Sequence, residues 1–280
     1  MSMNRFADAS TKAAVSRDGT SRPGIFTQTA ADKGPIPGRR EREDMKIDHP
    51  SIVAARKVDS PVTEEYKKLK SRIVDLTTKD GFKNTLAVTS SVSEEGKSIT
   101  AVNLAVSLSQ DYDHAVILID ADLRRPTLHT YLNRTPGKGL SDCLVGGIDP
   151  DAALMPIGSK KLSFLPAGKK IDDPVEFFAS RKMQALMQDL KARYADRYII
   201  VDTPPVLLFA ETKKISAFAD GTILVVKEGR ATLENISEAL DILKETNVMG
   251  IVYNHASLQN LNESSYYHYY SRYYAQRKER

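Results

Sequence analysis

Residues 87–105 read AVTSSVSEEGKSITAVNLA, and this stretch decides the fold. Its first residues close a short apolar run, Thr85 to Val88, of the kind that forms a buried strand. Ser90, Ser91 and Ser93 then interrupt the run, and Gly96-Lys97-Ser98 opens a segment with apolar residues at helical spacing. A strand, a tight turn and a helix N-terminus in that order aim several backbone N–H groups at one point, where phosphate binds. Gly96 permits a close backbone approach that a Cβ would obstruct. Lys97 is placed to reach the outer phosphates of a nucleotide, and the Ser98 hydroxyl to ligate Mg²⁺. The candidate nucleotide-binding residues are therefore Ser91, Ser93, Glu95, Gly96, Lys97, Ser98 and Ile99, with ATP and Mg²⁺ as the expected cofactors. Two features depart from the usual pattern. Ser91 stands where a glycine is usual, five positions before Gly96, and Glu94 and Glu95 bring carboxylates into the loop.

A Gly-Lys-Ser tripeptide alone is a common accident, so the reading needs support from the rest of the chain. Residues 116–126, VILIDADLRRP, end an apolar strand with Asp120 and Asp122 on one face. Residues 198–205, YIIVDTPP, end another with Asp202. In a parallel sheet such acids emerge at the carboxyl edge, beside the phosphate loop. Each Asp alone is accounted for by capping a following turn. Three at strand ends after such a loop point to a metal–phosphate site, with Ser98, Asp120, Asp122 and Asp202 as candidate ligands. Mg²⁺ needs only one or two carboxylates besides phosphate and water.

The remaining texture alternates short apolar strands with amphipathic helices. Further strands are expected at LSFLPA (162–167), GTILVVKEG (221–229) and VMGIVYNH (248–255), and helices around Arg181–Tyr194 and Thr232–Thr246. Another helix follows Pro61, with Thr63 as its expected cap and Tyr66, Leu69, Ile73 and Leu76 on one stripe. The pattern predicts one α/β domain over 59–257, a P-loop NTPase-like, mostly parallel sheet with helices on both faces. Residues 1–58 are expected to be a disordered segment, since the first fifty hold only six Ile, Val, Leu or Phe and cannot offset their ordering entropy.

Composition excludes several classes. The net charge of +4 over 280 residues, with basic residues gathered at the ends, gives no reason to expect nucleic acid. Cys143 is the only cysteine, which rules out an internal disulfide or a thiolate cluster and leaves a small packing residue. The histidines show no metal-ligand spacing. No apolar run of transmembrane length occurs, so a cytoplasmic protein is expected, reaching a membrane through a partner. The last segment, 258–280, is basic, is expected to be a flexible tail, and holds six of the twelve tyrosines: Tyr266, Tyr267, Tyr269, Tyr270, Tyr273 and Tyr274. Burial does not account for the hydroxyls, and the pairs fall on several faces of any helix. Phosphate on them would turn a basic tail strongly acidic.

Taken in order, SSVSEEGKSITAVNLA, VILIDADLRRP, YIIVDTPPVL and the tyrosine cluster resemble the bacterial tyrosine kinases of polysaccharide export, the CpsD/CapB type. These are autokinases on a P-loop fold related to MinD and ParA. The resemblance implies that Lys97 and Ser98 bind phosphate and Mg²⁺. It implies that Asp120, Asp122 and Asp202 hold the metal, with Asp120 or Asp122 orienting or deprotonating the phenol, and that Arg124 belongs to the catalytic set. It also implies tail tyrosines phosphorylated in trans within a ring of subunits, control of capsule or exopolysaccharide chain length and export, a membrane chain-length-determinant adaptor that activates the kinase at the inner face of the plasma membrane, and a cognate tyrosine phosphatase. The family's Glu-x-x-Arg-x-x-Arg oligomerisation motif appears as Glu64, Lys67 and Lys70 within the 64–73 helix; lysine keeps the charge and loses the planar fork. An exposed face of i,i+3 ion pairs explains those three residues equally well. Two other readings stay open: a ParA/MinD-like switch ATPase, although Val92 stands where such proteins often carry a lysine, and a non-catalytic phosphorylated scaffold.

Overall fold

Seven strands make one sheet in the computed structural model, which describes residues 47–56, 60–158 and 161–257. They are β1 (Thr85–Ser90), β2 (Ala115–Asp120), β3 (Met155–Ile157), β4 (Leu162–Leu165), β5 (Arg197–Asp202), β6 (Gly221–Lys227) and β7 (Val248–Asn254). Their order across the sheet is β3-β4-β2-β5-β1-β6-β7, parallel throughout except that β3 runs antiparallel to β4. Nine helices accompany them among the described residues: α1 (Pro61–Thr78), α2 (Lys97–Ser109), α3 (Leu128–Tyr131), α4 (Leu140–Val145), α5 (Pro150–Ala153), α6 (Pro174–Ala179), α7 (Arg181–Arg193), α8 (Glu211–Phe218) and α9 (Leu233–Leu243).

Strand side chains alternate between two cores, as a sheet covered on both faces requires. Val116, Leu118, Tyr198 and Ile200 pack with Leu104 and Leu108 of α2 and Ile73 of α1. Ile117, Ile119, Ile199 and Val201 pack the other way, onto Phe178 of α6 and Met183, Met187 and Leu190 of α7. Leu224 and Val226 meet Ala239 and Leu243 of α9. Helix α2 is buried on nearly every side, because it lies against the sheet beneath α1 and the segment before it. A buried hydroxyl pair pins α1 to the sheet, with Thr77 Oγ1 2.7 Å from Tyr198 Oη. Cys143 of α4 is buried in the second core, where burial pushes its thiol pKa up.

Three details differ from the expectations. The cap of α1 is Ser60, whose Oγ accepts from Thr63 N–H at 3.1 Å; Thr63 lies inside the helix, because Pro61 takes the first helical position where no N–H is needed. The fold also begins before residue 59. Ile52 and Ala54 are buried, Ala54 N–H donates to Asn103 Oδ1, Asn103 Nδ2 donates to the Ser51 carbonyl and Gln110 donates to the Ala54 carbonyl, so an apolar pair and three polar ties hold 47–56 against α2 and its C-cap. The short edge strand β3 was not expected, since Met-Pro-Ile carries no alternation to read. The rest of the expected disordered segment and the tyrosine tail lie outside the described residues. No helix among the described residues is long and apolar enough to cross a membrane.

Candidate active site

The sheet order sets the site. β5 lies between β1 and β2, so the loop leaving β1 and the acids leaving β2 and β5 share one edge. Asp120 and Asp202 are register partners, and Val88 pairs Asp202 on the other side. Lys97 Nζ lies 2.8 Å from Asp122 Oδ2, 3.1 Å from Ser98 Oγ and 3.6 Å from Asp202 Oδ1. Ser98 Oγ donates to Asp202 Oδ2 at 2.6 Å. Asp122 Oδ1 accepts from Arg125 N–H and Asp120 Oδ2 from Leu128 N–H, so both acids also brace the turn that follows β2.

Burial shapes the charges here. It works against the Lys97 ammonium, yet Asp202 and Asp122 outweigh it and leave the lysine pKa raised. The Asp202 carboxyl is pushed up to about 6 by burial, against the pull of Lys97 and Ser98. Asp120 is raised well above the usual carboxylate range, by burial and then by the neighbouring Asp202 charge. Carboxylates held this way favour a proton or a cation.

No group of three or more His, Cys, Asp or Glu side chains among the described residues makes a metal cage. Mg²⁺ does not need one. Asp120 Oδ1 and Asp202 Oδ1 are buried and make no hydrogen bond, and Ser98 Oγ lies on Asp202, so the residues present fit a cation beside phosphate. Asp122 stands apart from them, already committed to Lys97 and the Arg125 N–H.

The two loop glutamates turn away from the loop mouth. Glu95 is fully buried; its Oε2 accepts from Val92 N–H at 2.8 Å and its Oε1 from Lys227 N–H at 3.2 Å. Its own carbonyl accepts from Asn254 Nδ2. Glu94 adopts φ 67° and pairs through Oε2 with an Arg230 Nη2 3.0 Å away, while Arg230 Nε donates to the Ser93 carbonyl. Gly96 has φ 90°, and a Cβ there would lie 2.1 Å from Asn254 Nδ2. The left-handed backbone favours glycine, and any Cβ would also displace the Asn254 amide. Ser91 is buried, its carbonyl accepting from Leu207 N–H, and Ile99 occupies the first turn of α2, where its carbonyl accepts from Asn103.

Arg124 leaves the turn after β2 and meets Glu211, the first residue of α8. Its Nε donates to Glu211 Oε1 at 2.6 Å, its Nη2 to Oε2 at 3.4 Å, and its guanidinium lies 4.7 Å from the centre of the Phe209 ring. Glu211, Asn254, Lys227 and Arg230 join the site without a motif to announce them. They belong to distant segments, and only a lone Glu after the apolar run 206–209 offered a signal. Of the three α1 residues, Glu64 pairs with Lys67 within the helix, and Lys70 is half-buried. Tyr266, Tyr267, Tyr269, Tyr270, Tyr273 and Tyr274 lie outside the described residues.

A glycine-lysine-serine loop between the first strand and a buried helix, faced by aspartates from the two adjoining strand ends, defines a P-loop nucleotide-binding protein. The ParA family, described as NUBPL iron-transfer P-loop NTPase, matches residues 81–279. Tyrosine-protein kinase YwqD of Bacillus subtilis (strain 168) is 31% identical over 219 residues, covering 78% of this chain and 91% of its own. The succinoglycan biosynthesis transport protein ExoP of Rhizobium meliloti (strain 1021) is 27% identical over 274 residues, 86% of this chain and 34% of ExoP. Among solved structures, the kinase domain of the Escherichia coli tyrosine kinase ETK superposes with TM-score 0.67 at 25% identity, covering 79% of this chain and 87% of that one. The chain belongs to the bacterial tyrosine kinases of the ParA-type P-loop NTPases.

Proposed function

We propose that this chain is an ATP-dependent protein-tyrosine kinase that phosphorylates its own cluster at Tyr266, Tyr267, Tyr269, Tyr270, Tyr273 and Tyr274 in trans, and that this controls exopolysaccharide or capsule chain length and export. The observation that carries the reading is the convergence of Lys97, Ser98, Asp122 and Asp202 within 3.6 Å contacts at the end of the phosphate loop, in a chain related to named tyrosine kinases. When bound, ATP would supply the phosphoryl group and Mg²⁺ would offset its negative charge. Lys97 would hold the phosphate oxygens, and Ser98, Asp202 and Asp120 would hold the cation. A phenol has a pKa near ~10, so a carboxylate must orient it or take its proton. Asp122, at the loop edge and less deeply buried than Asp120, is the better placed of the two.

The same reading assigns a membrane chain-length-determinant adaptor as activator, which would place the chain at the inner face of the plasma membrane. ExoP, three times longer than the matched region, is a relative in which this region is one part of a transport protein. Glu64, Lys67 and Lys70 would carry the ring contact, and a tyrosine phosphatase would reset the tail.

Intact mass after incubation with ATP and Mg²⁺, with and without the adaptor's cytoplasmic segment, tests the proposal. A ladder of phosphate additions mapping to 266–274 and absent from Lys97→Met supports it. ATP consumption without a ladder identifies a switch ATPase instead, and neither turnover nor nucleotide binding identifies a scaffold.

A further inference from the structure

Arg124 is held with more care than a surface cation needs. Glu211 is fully buried, and the only cation bonded to it among the described residues is Arg124, which meets both of its oxygens. A carboxylate so enclosed is costly unless paired, and a buried ion pair is in general weak evidence for stability. Its geometry therefore points to something other than stability. The pair grips the guanidinium on the Nε edge, and Phe209 supports its face. No described residue accepts from Nη1, and the Arg124 side chain is 35% exposed. One edge is fixed and the other has no acceptor among the described residues, two residues beyond Asp122. The planar fork is suited to phosphate oxygens, and fixing it beforehand spares the ordering that a mobile side chain would require.

We propose that Glu211, seconded by Phe209, is a positioning residue that sets the orientation of Arg124 for the phosphoryl group in transfer. Both residues come from the turn and first helical residue after β5, so the segment following Asp202 aims the arginine that follows Asp122. The two acid-bearing strand ends are thereby coupled through one ion pair. This inference rests on the kinase reading for the identity of the anion, but not for the orientation of the guanidinium.

A double-mutant cycle between Glu211→Gln and Arg124→Lys tests it on the full chain, with phosphotyrosine formed and ATP consumed both measured. Glu211→Gln is expected to lower kcat by about tenfold to about a hundredfold, with KM for ATP within about twofold, since misplacing a catalytic group by about 1 Å costs on that scale. Glu211→Asp, which keeps the charge, should recover part of the loss. In the Arg124→Lys background, Glu211→Gln should cost almost nothing further, because the fork it orients is gone. Equal losses in both backgrounds, or a fall in thermal stability with kcat unchanged, would overturn the inference and leave Glu211 structural.

ATP consumption without phosphotyrosine in the parent would overturn the kinase reading while leaving the cycle legible on hydrolysis. Should the parent turn over nothing, the Nε–H resonance of Arg124 decides. Rapid exchange of that proton in Glu211→Gln, against slow exchange in the parent, supports the orienting role; slow exchange in both overturns it.

Discussion

Asp202→Asn should make the protein more stable at alkaline pH while abolishing phosphoryl transfer. Burial lifts the Asp202 carboxyl from 3.8 to about 6, even after Lys97 and Ser98 have pulled it down. An acid whose folded pKa is raised contributes its full stability below the unfolded value, near 3.8, and loses it as pH rises through about 6. Above that point the folded chain carries the whole cost. The gap between 3.8 and about 6, at about 1.4 kcal/mol per pH unit, comes to about 3 kcal/mol. Asparagine keeps the shape and an acceptor for the Ser98 hydroxyl, and it cannot ionise. Lys97 retains Asp122 at 2.8 Å. At roughly 2–4 °C per kcal/mol for a domain of this size, the variant should melt about 6–12 °C higher than the parent at pH 8. At pH 4 the two should nearly coincide. Thermal and urea unfolding without nucleotide, run at both pH values, provides the measurement. A variant that melts lower at pH 8, or an offset that is the same at both pH values, would refute the electrostatic argument. Adding ATP with Mg²⁺ should reverse the ranking, because only the parent keeps the full cation-binding set.

Three further outcomes follow from the contacts. Gly96→Ala should weaken nucleotide binding, as the backbone holds φ 90° and the new Cβ, 2.1 Å from Asn254 Nδ2, displaces the amide bonded to the Glu95 carbonyl; unchanged binding by calorimetry would contradict this. Arg230→Ala should raise KM for ATP by no more than about fivefold with kcat unchanged, because its partner Glu94 is exposed and such a pair contributes up to about 1 kcal/mol. A complete loss of activity would mean that Arg230 does more than pin the loop. Tyr198→Phe should cost roughly 1 kcal/mol in urea unfolding, from the lost hydrogen bond to Thr77, and leave turnover intact.

Much of this protein is legible in its residues. The apolar runs at 85–88, 116–119 and 198–201 and the helical spacing after Gly96 give the parallel sheet and the buried helix. Phosphate-loop chemistry depends on local order, strand then turn then helix, so contiguous residues carry it. Asp120, Asp122 and Asp202 were legible because a strand end in a parallel sheet has one destination. Glu94 and Glu95 were not. Their charges oppose phosphate when read locally, and only the approach of Lys227 and Arg230 from the end of β6 shows that one carboxylate braces the loop from inside and the other is tied outward. The cap of α1 lies three residues before the expected Thr63, since Ser60 and Thr63 are chemically equivalent until the backbone chooses between them. Residues 47–56 carry no recognisable pattern because their anchoring depends on Asn103 of α2 and Gln110 just beyond its end, some fifty residues away.

By itself the sequence determines what is periodic or contiguous: the strands, the helices, the phosphate loop, the acids and the tyrosine-rich tail as a composition. Tertiary structure decides which distant groups meet. It places Asn254 under Gly96, Glu211 and Phe209 around Arg124, and Lys97 between Asp122 and Asp202. The physical reason is range. Propensity and periodicity act over a few residues, whereas a buried charge is satisfied by whichever partner the packed sheet brings within about 3 Å, and no local pattern encodes that distance.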